Sequence, residues 1–64
     1  MAVKVGDTIC IDYMDGEPGY AGRTGVVTNI DDMGQVHGTW GGLAVIPGAD
    51  EFHVINTEHG RVTR

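Results

Sequence analysis

Three turn signals fall within the stretch IDDMGQVHGTWGGLAVIPGADEF, residues 30–52, separated only by short apolar runs. Asp31-Asp32-Met33-Gly34 reads as a hairpin turn, because aspartate can bond the local backbone and glycine takes positive φ without strain. Gly41-Gly42 suits a primed two-residue turn. Pro47-Gly48-Ala49-Asp50 reads as a corner closed by a single 3₁₀ turn. No segment between these breaks is long enough for a stable helix, so the chain must fold through short strands.

The rest of the chain follows the same pattern. Residues 8–14 alternate, with Ile9, Ile11 and Tyr13 on one face and Thr8, Cys10, Asp12 and Met14 on the other, which predicts a half-buried first strand. Residues 15–23, DGEPGYAGR, form a long Gly/Pro loop. Residues 24–30 are the second strand, with Val26, Thr28 and Ile30 expected inward. Residues 35–40 are the third, placing Val36, Gly38 and Trp40 on one face, and residues 43–46 the fourth. In the fifth, residues 51–55, Phe52 and Val54 alternate with Glu51, His53 and Ile55. Eleven glycines interrupt every helical period, and no repeat or linker is evident. The expected fold is all-β: a small five-stranded SH3-like barrel with a long first loop and a 3₁₀ turn before the last strand. Near-closure leaves few exposed strand edges. The barrel is expected over residues 1–55, followed by a polar, flexible tail over residues 56–64.

Sixty-four residues make one domain, and a domain this small buries only about 60% of the surface its unfolded chain exposes. Ordering costs roughly 1.5 kcal/mol per residue, so a partner, a ligand or a second copy would help to hold it. The single cysteine, Cys10, excludes an internal disulfide framework and fits a reducing compartment. No apolar run approaches the roughly 20 residues of a membrane span, and MAVKVGD lacks the apolar core of a signal peptide. A cytoplasmic location, away from membranes, is the expectation. Nine acidic residues stand against four basic ones, and residues 1–55 hold eight Asp/Glu against Lys4 and Arg23. Such a body repels nucleic-acid phosphates and favours a basic protein surface.

Several segments together carry a family resemblance: Gly22-Arg-Thr-Gly25-Val, Ile30-Asp-Asp-Met-Gly-Gln-Val-His37, Trp40, Leu43-Ala-Val-Ile-Pro-Gly-Ala-Asp50 and Phe52. They resemble an uncharacterised bacterial and phage domain family with the pattern GTxGTVxxIDDxGQIHVxWDNGxxLALIPGxDxF. The resemblance covers about residues 5–55. It implies a small β-barrel often encoded on phages, plasmids and other mobile elements, with no settled biochemical role. Two departures stand out. Gly38 replaces a β-branched residue, leaving a gap or a close backbone approach beside Trp40, and the loop after Trp40 is shortened to Gly41-Gly42; together they are expected to bare one side of the Trp40 ring.

Little in the chain points to catalysis or to a cofactor. Cys10, His37 and His53 show no C-x-x-C or H-x-x-x-H spacing, so no metal is expected. His37 should instead order its hairpin through Asp31, Asp32 or a backbone carbonyl. Cys10 sits mid-strand, where a small apolar residue is usual, and the chain has no serine, so an enzyme is not expected. Gly19 to Gly25 superficially resembles a phosphate-cradling loop, but a strand follows it and Arg23 is the only nearby cation.

The aromatic residues carry the remaining signal. Phe52 reads as core and Trp40 as part core, part surface. Tyr20 lies in the long loop beside Asp15, Glu17 and Pro18. A shallow groove lined by Asp12, Tyr13, Asp15, Glu17 and Tyr20, with Arg23, His37 and Trp40 nearby, would suit an extended basic or proline-containing peptide. The expected function is a non-enzymatic binding or adaptor module of a phage or mobile element, acting by protein–protein contact. One alternative is an anti-defence inhibitor presenting Asp12, Asp15, Glu17, Asp31 and Asp32 to a host nuclease as a nucleic-acid mimic. Another is a sponge for a nucleotide signal, held between barrels of a homo-oligomer near Gly22 to Gly25, Arg23 and Trp40.

Overall fold

The computed structural model describes residues 3–56. Four strands form one antiparallel sheet: β1 (Thr8–Tyr13), β2 (Thr24–Ile30), β3 (Val36–Gly38) and β4 (Glu51–Val54), in the order β3-β2-β1-β4. The described residues are therefore all-β, with four strands in an open sheet where five were expected. The expected fourth strand, residues 43–46, makes a single pairing, Val36 with Val45, sealed by two 2.8 Å backbone bonds. Gly41-Gly42 leads into this segment, and the corner at Pro47-Gly48 takes the chain away again, leaving room for one pair only.

The 3₁₀ turn also lies elsewhere than expected. It spans Pro18–Tyr20 in the first loop, with proline at its start, where a fixed φ costs nothing and the missing N–H is not needed. The 46–50 corner is instead closed by Ala49 and Asp50 amides bonding the Ile46 carbonyl, with Gly48 at φ +99°. Among the described residues, no helix is long and apolar enough to cross a membrane.

Seven side chains make the core: Ile9, Ile11, Met14, Val27, Val36, Trp40 and Val45, with Val3, Tyr20, Ile30 and Phe52 packed against it. Two side-chain orientations differ from the alternation read in the sequence. In β1, a register irregularity between Ile11 and Tyr13 turns Tyr13 outward and Met14 inward. In β2, Val27 is buried whereas Val26 and Thr28 are exposed. Adjacent valines leave the phase ambiguous by one residue, and a one-residue slip exchanges the faces of a strand.

Trp40 is 4% exposed, and its indole N–H donates to the Leu43 carbonyl at 2.8 Å. Gly38 exists for that ring. A Cβ there would lie 2.2 Å from Trp40 Cζ3 and 2.5 Å from the Val26 carbonyl oxygen. Of the two expectations for Gly38 the close backbone approach is realised, and the ring is not bared: the missing side chain lets it pack on the backbone. Burying a tryptophan side chain withdraws of order 200 Å² from water, an upper contribution of about 5 kcal/mol, so one residue supplies a large share of this core.

Residue 56, which the sequence assigned to a polar tail, belongs to the fold. The Asn56 side chain accepts from the Thr8 amide at 2.6 Å and donates to Asp7 at 2.8 Å. The remainder of the expected tail, residues 57–64, lies outside the described residues.

Candidate functional site: a cleft framed by Asp50

The chain's recurrent device is an aspartate that bonds backbone amides. Asp7 accepts from the Lys4 amide and ammonium and from Asn56. The Asn56 bond, followed by those from Lys4, holds its carboxyl below the ordinary value of 3.8. Asp31 accepts from the Met33 and Gln35 amides at 3.0 and 2.9 Å and pairs with His37 Nε2 at 2.9 Å. The His37 bond comes first among the causes that lower its pKa. Gly34, at φ +81°, completes this turn. The expected role of His37 as the organiser of its hairpin is what the structure shows.

Asp50 acts over a longer range. Buried at the corner, it accepts from the Asp15 amide with one oxygen (2.9 Å) and from the Ile46 amide with the other (2.8 Å). One carboxylate therefore joins the end of β1 to the segment before β4. Between those two walls lies a cleft of about 290 Å³, lined by Met14, Asp15, Glu17, Leu43, Ala44, Ile46, Ala49 and Asp50. Leu43 and Ile46 are exposed apolar residues on one wall, and Asp15 and Glu17 put carboxylates on the other. On the far side of Asp50 a second cleft, about 410 Å³, runs over Val3, Phe52 and Pro47 beside Asp12 and Glu51.

The expected binding residues divide into three groups. Tyr13, Asp15 and Glu17 stay together at the first cleft. Asp15 and Glu17 line it, and the exposed Tyr13 hydroxyl donates to Asp15 at 3.1 Å. That bond is the leading cause raising the Tyr13 phenol above its ordinary 10.0. Tyr20, Arg23 and Trp40 form a packed cluster: the guanidinium lies 4.1 Å from the Tyr20 ring centroid and donates to the Trp40 carbonyl at 3.0 Å. Gly41 is part of the same cluster, since a Cβ there would lie 2.6 Å from the Tyr20 hydroxyl. His37 is bound into the β2–β3 hairpin. The geometry thus keeps Tyr13, Asp15 and Glu17 of the expected groove, places Asp12 in the second cleft, and sets Leu43 and Ile46 where Tyr20 and Trp40 were expected. Exposed apolar residues flanking the IPG corner were the available signal, masked by reading residues 43–46 as a strand.

A second gathering was not visible from spacing. Cys10 and Asp12, two apart on β1, share the outer sheet face with His53, the β4 residue paired with Cys10. One donor atom from each of the three lies within 4.8 Å of the others, and His53 Nδ1 is 2.9 Å from Asp12 Oδ2. Cross-strand pairing assembles this cluster, whereas the sequence motifs sought donors close along the chain.

A family model described as a domain of unknown function, DUF4314, matches residues 3–55. No curated protein and no solved structure matches the chain.

Proposed function

We propose, from the premise that the chain belongs to the DUF4314 family of domains of unknown function, that it is a non-enzymatic adaptor module that captures a basic, apolar-containing protein segment. The observation that carries this reading is the Asp50-framed cleft, which sets exposed Leu43 and Ile46 opposite Asp15 and Glu17. An apolar floor with a charged rim is the usual composition of a peptide groove. The formal net charge of −5 favours encounter with a cationic partner. The finer fold assignment, an SH3-like barrel, belongs to the same proposal. It is supported by the strand order and by the Val36–Val45 pairing, which continues the sheet beyond β3.

Two other uses of the surface fit less well. Nucleic-acid mimicry needs free carboxylates, but Asp31 is engaged inside its hairpin and Asp12 by His53. At Arg23 one guanidinium nitrogen is already bonded to the Trp40 carbonyl and one face of the group is stacked on Tyr20, which leaves a nucleotide fewer donors.

Selection from a random linear-peptide library tests the proposal. Enriched sequences should carry Lys or Arg next to Leu, Ile or Val, and their binding should weaken as salt rises. Leu43→Ser and Glu17→Lys, both at exposed positions, should each reduce affinity at least about tenfold without lowering the unfolding midpoint. Enrichment of peptides whose binding ignores both substitutions would overturn the site, and no enrichment at all would overturn the function.

A further inference from the structure

The outer-face cluster of Cys10, Asp12 and His53 offers one sulfur, one oxygen and one nitrogen donor from two neighbouring strands. We infer that these three residues form a site for a borderline-soft divalent cation of the zinc class, stapling β1 to β4 and leaving one coordination position open. The argument rests first on reach. Around a tetrahedral zinc ion with the usual bond lengths, donor atoms lie roughly 3.4–3.6 Å apart. The three donors here already lie within 4.8 Å of one another, so small side-chain rotations close the set with the strands held in place. Pairing of Cys10 with His53 in the β1–β4 register fixes two of the donors by backbone hydrogen bonds.

Donor chemistry selects the metal. Thiolate and imidazole favour zinc-like ions over calcium or magnesium, which take oxygen ligands. Cys10 binds as the thiolate and His53 as the neutral imidazole, so the thiol proton leaves when the ion enters. The site is accessible: Asp12 and His53 are exposed and Cys10 is half-buried. Core packing is done by Ile9, Ile11 and Phe52 on the opposite face. The gain for so small a domain is a cross-link between strands near its two ends, of the kind that supports scaffolds with thin cores.

The test uses the whole chain and Co²⁺ as a spectroscopic probe. Titration should produce an intense thiolate-to-cobalt charge-transfer absorption together with visible bands of tetrahedral strength, both abolished by adding Zn²⁺. Cys10→Ala should remove the charge-transfer absorption. Asp12→Asn and His53→Gln should weaken binding at least about tenfold, whereas His37→Gln should leave it unchanged. Zn²⁺ should raise the melting temperature of the wild-type chain but not of Cys10→Ala, whose fold is checked by circular dichroism. The proposal is overturned if Co²⁺ produces no charge-transfer absorption, or if that absorption survives unweakened in His53→Gln. Neither result bears on peptide capture at the Asp50 cleft, so the two proposals fail separately.

Discussion

The Asp31 hairpin and the Asp50 corner use the same chemistry over different distances. Both place an aspartate so that its carboxylate accepts two backbone N–H groups, and both turn on a glycine at positive φ. Asp31 finds every partner within six residues. Asp50 joins Asp15, thirty-five residues away, to Ile46, and does so from a buried position. A local clamp shapes one turn, whose loss leaves the rest of the sheet paired. The long-range clamp draws together two walls that lie just beyond the last β1–β4 pair, Tyr13 with Glu51, and those walls are the candidate site. Equal prominence in the sequence therefore conceals unequal weight in the structure.

Substitution of the two aspartates is the most direct way to break this comparison. Asp50→Ala removes the acceptor for two amides, and hydrogen bonds to charged groups contribute about 1.5–3 kcal/mol each. A loss of about 3 kcal/mol is expected, a large part of the stability of a domain this size, measured as a drop in the urea midpoint. Peptide capture should be lost under conditions where the variant still folds, because the cleft walls separate. If Asp31→Ala proves as damaging as Asp50→Ala, range is not what distinguishes them.

Gly38→Ala comes next, at the junction between the two regions. Its Cβ would collide with the Trp40 ring and with the Val26 carbonyl, the second of which is backbone and cannot swing aside. Overpacking of this kind costs about 1–3 kcal/mol. The expected signature is a lowered midpoint with altered tryptophan fluorescence. An unchanged midpoint would show that the ring has room to move, and that Trp40 is not the rigid link between hairpin and corner.

Much of this was legible because it is local. The residue pattern marked β2 to the residue and the Asp31 turn, and it narrowed the His37 partner to three groups of which Asp31 is the one bonded, since each depends on neighbours within about six positions. Faces were harder to read. The irregularity after Ile11 and the adjacent valines of β2 each shift the alternation by one residue, which exchanges inward and outward without changing propensity. The cleft and the Cys10–Asp12–His53 cluster were illegible for another reason. They bring together residues about twenty-five to forty-five positions apart, and only strand order and register determine which such residues meet.

Acidification sharpens the same comparison more gently. Asp7 and Asp31 have pKa values lowered in the folded chain from the ordinary 3.8, by Asn56 and His37 first of all. Each therefore binds its proton less readily when folded than when unfolded. Their stabilisation is present in full above the unfolded value and is lost as pH falls through it toward the folded one. Unfolding free energy should fall as pH drops below about 4. Asp31→Asn should flatten part of that slope and Asp7→Asn another part. A slope unchanged in both variants would place the acid-sensitive groups elsewhere.

The smallest expected effect separates local from global loss most cleanly. In Asp31→Ala, amide hydrogen exchange should accelerate at Met33 and Gln35, whose N–H groups lose their acceptor. The Asp15 and Ile46 amides, still held by Asp50, should exchange at the wild-type rate once corrected for any change in global stability. The reciprocal pattern is expected in a mild Asp50→Asn variant, where one of the two amides loses its carboxylate partner and the hairpin amides stay protected. Acceleration at both pairs from either substitution would mean that hairpin and corner open as one cooperative unit. The Trp40 segment would then couple them, and a partner bound in the Asp50 cleft would be sensed as far away as His37.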